Sequence, residues 1–369
     1  MNAMTPERVL QALEDIKDPD LGTPIVKMGM IKDIKIDGEK LTLTCELTTP
    51  ACPVKEQIEK EIRTKIAERL PEFKTVDLTM TGKVRSSNIP VNEGVESLVP
   101  QIRNVILIGA GKGGVGKTTC AINLACALKR TGASVAVLDA DIFCPSIPIV
   151  TGVRDKPKLA GENKIRPLNA FGIEIMSMGF LVEPNQAMLW RGAVLNGIMV
   201  QFLRDVTWAE SDYLLVDLPP GTGDIQLAIA QNCAVTGAVL VTTPQKMAIA
   251  DTVRTKGMFD QTRIPLLGLI ENMSGFTDPE SGREMNIFSK GGGERTASEL
   301  KIPFLGAVPL SQAVCESGDA GVPIVISQPQ STAALAFCAA AERLAAQISI
   351  RNLTGNAAAV SAEVETSVG

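Results

Sequence analysis

Eight consecutive residues carry the strongest chemical signal in this chain: Gly111-Lys112-Gly113-Gly114-Val115-Gly116-Lys117-Thr118. The spacing is G-x-x-x-x-G-K-[ST], the form of a phosphate-binding loop. Its glycines let successive backbone N–H groups converge on phosphate oxygens, and a following helix adds positive partial charge at its N-terminus. Lys117 is placed to reach the β- and γ-phosphates of ATP, and Thr118 to ligate Mg²⁺. Thr119 completes the candidate nucleotide-binding stretch.

Two further segments bring carboxylates. LDADIFCPS carries Asp139 and Asp141, and VDLPPGTGD carries Asp217 and Asp224. Asp139, Asp141 and Asp217 follow apolar runs, at the strand ends where ligands bind in parallel sheets. Asp139 and Asp224 are equally suited to capping a helix N-terminus. Asn272 ends the run PLLGLIEN and is equally suited to a turn.

Composition narrows the chemistry. The 369 residues include eight Cys and no His. That removes a His general base, a His metal ligand and any Ser-His or Cys-His pair. Catalysis must therefore run on carboxylates, Lys, backbone amides, a metal ion or a cofactor. The formal charge of −5 argues against general nucleic-acid binding. No run approaches the ~18 uninterrupted apolar residues of a membrane span. The N-terminus has no apolar signal core, so the eight Cys read as reduced thiols and the expected location is cytoplasmic.

Positioning these residues requires a parallel sheet. Apolar runs at 104–109, 134–139, 173–178, 213–218, 237–243, 265–272 and 303–308 alternate with helical stretches. Near-continuous apolar strands of this kind predict an α/β fold, a mostly parallel sheet covered by helices on both faces. The phosphate loop lies between the first strand and a helix over 117–130, as its motif requires. Residues 1–82 predict a separate small α+β domain. It comprises a helix over 7–16, strands 31–36 and 40–47 about the Asp37-Gly38 turn, a helix over 54–70 and a strand at 75–80. Residues 83–100 read as a linker and 101–354 as the phosphate-loop ATPase domain. A last helix is expected over 332–348, with a disordered tail over 355–369.

GKGGVGKTT is similar to the deviant Walker A motif of the SIMIBI-class ATPases, which include the MinD and ParA proteins. The whole chain resembles the Mrp/ApbC family of iron–sulfur cluster carrier ATPases through GKGGVGKTT, LDADIFCPSIP, MSMGFL, WRG, VDLPPGTGD, TPQ and ENMSGF. Its first domain resembles the MIP18-type domain through DPDLGTPIVKMGMI and TTPACP. The resemblance implies a Mg-ATP-hydrolysing homodimer that binds a four-iron four-sulfur cluster and delivers it to apo-proteins, with a cluster-assembly scaffold as a further partner. It implies that Lys112 crosses the dimer interface to the partner's nucleotide and that Asp141 orients the attacking water. It also implies that Asp217 holds Mg²⁺ through water and that Asn272 contacts adenine; the stiff PPGTGD turn, with its Gly freedom, suits a γ-phosphate-sensing switch. No membrane or nucleic-acid partner is expected, since the tail IRNLTGNAAAVSAEVETSVG has one Arg and no apolar face with a basic rim.

The chain departs from its family at one place. Cys-x-x-Cys shortly after ENMS is the pair that resemblance assigns to the cluster; here Asp278 and Ser281 stand in those positions. Neither is the soft thiolate such clusters prefer. No Cys-x-x-Cys occurs anywhere in the chain. Cys52, in TTPACP, is the remaining candidate thiol: a helix starting near Val54 would favour its thiolate, while a buried packing role fits equally. The other Cys read as packed core thiols, Cys144 beside Asp141 among them. An alternative function follows: a nucleotide-gated scaffold or adaptor that binds no cluster itself.

Overall fold

Strict alternation in the N-terminal segment becomes a three-stranded sheet. A computed structural model describes residues 5–19, 22–86, 97–161, 163–182, 192–221, 224–278 and 281–366. The chain divides into two units, Met1–Arg85 and Ser86–Gly369. The first contains α1 (Pro6–Ala12), β1 (Ile31–Asp37), β2 (Lys40–Leu47), α2 (Lys55–Arg69) and β3 (Thr75–Gly82). β1 and β2 pair antiparallel, with Asp37 opposite Lys40 at the turn. β3 runs parallel to β2, so α2 is the crossover between them. Leu41, Leu43, Cys45 and Leu47 of β2 are buried together with Ile58, Ile62 and Ile66 of α2. Side chains at period two on the strand thus meet side chains four apart on the helix. The predicted helix over 7–16 is shorter than expected and ends at Ala12.

The second unit is built around β4 (Val105–Ala110), β5 (Val135–Asp139), β6 (Leu168–Ala170), β7 (Ile173–Ser177), β8 (Tyr213–Asp217), β9 (Val235–Thr242), β10 (Leu266–Glu271) and β13 (Phe304–Ala307). Their order is β13-β10-β9-β4-β8-β5-β7-β6. All neighbours are parallel except β6, which pairs antiparallel with β7. The seven runs predicted as strands all form, each within two residues. The edge strand β6 and a small hairpin, β11 (Phe276–Thr277) with β12 (Glu284–Met285), carry too few residues for an apolar run to announce them.

Helices α3 (Lys117–Arg130), α4 (Ile147–Thr151), α5 (Gly192–Asp205), α6 (Asp224–Asn232), α7 (Lys246–Gln261) and α8 (Gly292–Leu300) follow the strands, with α9 (Gln312–Asp319), α10 (Ile324–Ser327) and α11 (Thr332–Thr366) after β13. Met199 and Phe202 of α5, Ile225 of α6, Phe259 of α7 and Ala297 of α8 pack with Leu107, Leu138, Val216 and Leu240 of the sheet. α3 and α11 pack together and touch strands of the same sheet. The mostly parallel sheet is therefore enclosed by helices, as the continuous apolar strands required. Phe337, Leu344 and Ile348 bury α11, so its apolar stretch Thr332–Thr354 is a packed helix of this unit. α11 is longer than the helix expected over 332–348 and is assigned to Thr366. Ala357, Ala358 and Ala359 have the highest helix propensity and outweigh the single Gly355.

Candidate nucleotide site

Register alone brings the strand-end residues together. Asp139 of β5 lies opposite Asp217 of β8, and Asp217 lies opposite Ile108 of β4. The loop that follows β4 therefore opens beside both carboxylates. Lys117, the first residue of α3, donates from Nζ to Asp217 Oδ1 at 2.5 Å. Thr118 Oγ1 donates to Asp217 Oδ2 at 2.6 Å. Lys117 is 8 % exposed and Asp217 is fully buried. Burial pushes the Asp217 carboxyl up; the Lys117 charge and the bonds from Lys117 and Thr118 pull it back down. A buried carboxylate and a buried ammonium thus offset each other's loss of water. Thr118 and Asp217 together offer hard oxygens on one spot, the donor type Mg²⁺ takes.

The loop geometry depends on particular glycines. Gly114 and Gly116 both have φ +80°, a left-handed conformation that costs glycine nothing. A Cβ on Gly113 or Gly114 would meet nothing within 4 Å, so this side of the loop is open. A Cβ on Gly111 would lie 2.3 Å from the backbone carbonyl carbon of Asp251, so α7 crosses here against bare backbone. Lys112 is half-buried at the start of the loop.

Asn272 lies against the loop. Its Nδ2 donates to Val115 O at 2.9 Å, and it would stand 2.3 Å from a Cβ on Gly116. Its own N–H donates to Thr242 O of β9. The side chain braces the phosphate loop from the sheet side.

Asp139 takes the capping role that its position also allowed. Its carboxylate accepts from the N–H of Asp141 (3.1 Å), Ser146 (3.1 Å) and Ile147 (3.2 Å), and from Ser177 Oγ (2.9 Å). It thereby holds the turn after β5 and the start of α4. Burial, with Asp217 beside it, pushes Asp139 up to about 7, while the donors hold it back. Asp141 is half-buried in that turn, and its Oδ1 accepts from the Cys144 N–H at 3.2 Å. Burial raises its carboxyl as well. After β8, Gly221 N–H donates to Ala110 O at 3.0 Å, tying the PPG turn to the end of β4. Thr222, Gly223, Trp190 and Arg191 lie outside the described residues, as do the side chain of Asp224 and most of the expected linker.

Sequence reasoning missed Glu271. It is fully buried and accepts from Gly291 N at 2.8 Å, from Gly293 N and from Ser274 Oγ. A lone Glu ending a buried apolar strand was the available signal, since such a charge must find partners. Asp278 and Ser281 sit on the β11–β12 hairpin, with Ser281 Oγ donating to Asp278 Oδ2 at 2.5 Å. They are neighbours, but they offer only hard oxygen.

The eight thiols differ in exposure, and Cys45 and Cys52 of the first unit lie near enough to interact electrostatically. Cys45, Cys120, Cys126 and Cys233 are buried, Cys52 and Cys338 half-buried. Burial pushes Cys45, Cys126 and Cys233 up to about 12. Cys144 and Cys315 are corrections: both are exposed rather than packed. Cys144 lies in the turn that Asp139 and Asp141 hold by backbone bonds, which leaves its side chain outside the core. Cys315 is on the short α9, one turn before Asp319. Cys52 precedes α2, its carbonyl accepting from Lys55 N–H at 3.3 Å. Among the described residues, no group of three or more His, Cys, Asp or Glu is placed to hold a metal ion.

Comparison with known proteins agrees with this geometry. Residues 101–345 match the family described as NUBPL iron-transfer P-loop NTPase, and residues 6–78 match the family described as iron-sulfur cluster assembly protein. The chain is 43 % identical over 359 residues to an iron-sulfur cluster carrier protein of Synechocystis sp., covering 95 % of this chain and 99 % of that one. It is 42 % identical to a protein of the same name from Deinococcus radiodurans, covering 94 % of this chain and 97 % of that one. A solved nucleotide-binding protein from Archaeoglobus fulgidus, in complex with ADP, is 35 % identical with a TM-score of 0.54. That match covers 60 % of this chain and 88 % of the other.

Proposed function

The chain belongs to the NUBPL iron-transfer P-loop NTPase family, and from that premise we propose a Mg-ATP-dependent homodimer that carries iron–sulfur clusters to apo-proteins. The observation that carries the ATP half is the convergence of Lys117 and Thr118 on Asp217 beside an open glycine loop. When ATP enters, the Lys117 ammonium leaves Asp217 for the β- and γ-phosphate oxygens, a stronger anionic partner. Backbone N–H groups of the loop and the α3 N-terminus hold the remaining phosphate charge. Thr118 and Asp217 are the residues that would hold Mg²⁺, which when bound neutralises charge on the phosphates. Asp141, anchored by Cys144 N–H in a turn that Asp139 fixes, orients the attacking water. Asn272 holds the loop in place, and adenine contact from this residue is part of the proposal.

Two substitutions test the division of labour. Asp141→Ala is expected to leave ATP binding within about two-fold by calorimetry and to lower turnover by at least about ten-fold, as loss of a proton-handling or water-orienting group does. Lys112→Ala is expected to lower turnover without loss of binding, because its charge acts on the partner's nucleotide. An unchanged Lys112→Ala rate removes the trans role.

The cargo half rests on the family and on the names of the relatives. The cluster here is cargo, and the hairpin pair Asp278 and Ser281 does not fit it, since hard oxygen replaces thiolate. Cys52 is the thiol we assign to cluster contact. A second reading is favoured by the chemistry of Asp278 and Ser281, which offer hard oxygens in place of thiolates: a nucleotide-gated adaptor in cluster assembly that binds no cluster. Iron counting and a visible spectrum on anaerobically purified protein separate them. Carriage predicts bound iron that falls in Cys52→Ala and transfer to an apo-ferredoxin. Iron-free protein that still captures clients with ATP supports the adaptor.

A further inference from the structure

We infer that Glu271 is a positioning residue that ties the exposed β11–β12 hairpin to the phosphate loop, so that nucleotide occupancy sets the order of the hairpin. The inference rests on the nucleotide reading above and adds regulation to it.

Consecutive residues at a strand end point to opposite sides. Asn272 turns one way, and its Nδ2 donates to Val115 O within the phosphate loop at 2.9 Å. Glu271 turns the other way and accepts from Ser274 Oγ, Gly291 N and Gly293 N. Those three donors stand on either side of the hairpin: Ser274 just before β11, Gly291 and Gly293 at the start of α8. One carboxylate therefore closes the base of the loop that carries the hairpin. Both residues are buried, Glu271 fully and Asn272 to 5 % exposure.

The surroundings leave this junction little slack. A Cβ on Gly293 would lie 3.0 Å from Glu271 Cβ, so the first turn of α8 rests directly on the glutamate. The Glu271 carbonyl accepts from Val308 N–H at 2.8 Å, and Val308 O accepts from Ser274 N–H at 2.9 Å. Gly275 donates to Ser289 O and accepts from Leu310 N–H. The hairpin itself has only two residues per strand. A two-stranded ribbon of that size has no stability of its own in water. Its order is set by its base, which the Glu271 carboxylate holds together with those backbone bonds.

Phosphate binding orders the backbone of the loop that contains Val115. The Val115 carbonyl, held through Asn272, then fixes the end of β10, and Glu271 passes that constraint to Gly291, Gly293 and Ser274. Nucleotide thus favours the ordered hairpin by whatever affinity difference it has for the two states.

Hydrogen exchange on the full chain, read at the amides of Gly275, Asp278 and Gly282 with and without Mg-ADP, tests this. In wild type, Mg-ADP is expected to slow these amides by about five-fold or more, the lower end of typical coupling between sites. In Glu271→Gln, Mg-ADP still binds by calorimetry, yet these amides exchange equally with and without it. A purely structural role for Glu271 would raise exchange in both states and keep the ratio. If Glu271→Gln lacks the native helical signal, Ser274→Ala removes one donor and is expected to reduce the ratio. Wild-type exchange that ignores bound Mg-ADP, or a ratio preserved in the folded variant, overturns the inference. Failure of Mg-ADP to bind wild type at all overturns the nucleotide reading and this inference with it, and calorimetry distinguishes that failure from the others.

Discussion

Lys117→Ala abolishes ATP turnover: kcat is expected to fall by about 10²–10³-fold, the range for loss of one preorganised charge donor. The same substitution strips Asp217 of its counter-charge. Asp217 is fully buried, and burial already pushes its carboxyl up. Removing one partner of a buried pair costs about 3–5 kcal/mol, because the other charge is left without water. Lys117→Ala is therefore expected to lower both catalysis and thermal stability, with the residual Asp217 carboxyl taking up a proton. A phosphate-release assay and a thermal melt of the nucleotide-free protein check the two halves. Wild-type turnover in the variant would remove the phosphate-loop assignment.

Asp217→Asn is the counterpart, and its two effects separate. Turnover is expected to fall by about 10²-fold or more, since a charge interaction with Mg²⁺ supplies several kcal/mol at the transition state. Half-saturating Mg²⁺ is expected to rise. Stability should change by less than about 1 kcal/mol, because the amide oxygen still accepts from Lys117, the amide NH2 can donate to the rotated Thr118 hydroxyl, and no buried anion has to be desolvated. Lys117 also keeps an exit, since its flexible stem can lift the ammonium toward the open side of Gly113 and Gly114. The predicted order in melting temperature is wild type near Asp217→Asn, both above Lys117→Ala. A variant Asp217→Asn that melts far below Lys117→Ala would show that the anion, not the cation, holds the pair together.

Most of the sheet was legible because its strands are buried on both faces. Val105–Ala110, Tyr213–Asp217 and Val235–Thr242 are buried along their whole length and mostly apolar, so neither face needs an alternating polar residue and the run announces itself. β6 and the β11–β12 hairpin were not legible, because two or three residues cannot display a period.

The candidate site divides in the same way. Sequence named Lys117 and Thr118 from the loop motif that opens a helix, and Asp217 from its place at a strand end. It left Asp139 open between function and capping, and the four donors converging on its carboxylate give it the cap. Glu271 was passed over, since its partners Ser274, Gly291 and Gly293 become neighbours only when the chain from β10 to α8 folds back on itself.

By itself, then, the sequence determined which groups are available: a glycine loop with Lys117 and Thr118, strand-end carboxylates, no His, and no paired thiols after ENMS. These are properties of residue type and short spacing, which covalent connection already sets. The tertiary structure decided which of them meet. Asp217 reaches Lys117 because β8 lies beside β4 in register, a pairing between residues 100 positions apart. Asn272 reaches Val115, 157 positions away, because β9 carries β10 to that side of the sheet. Cys144 and Cys315 lie at the surface for the same reason that Cys120 and Cys126 do not: exposure belongs to the packed whole, and a thiol's neighbours along the chain do not reveal it.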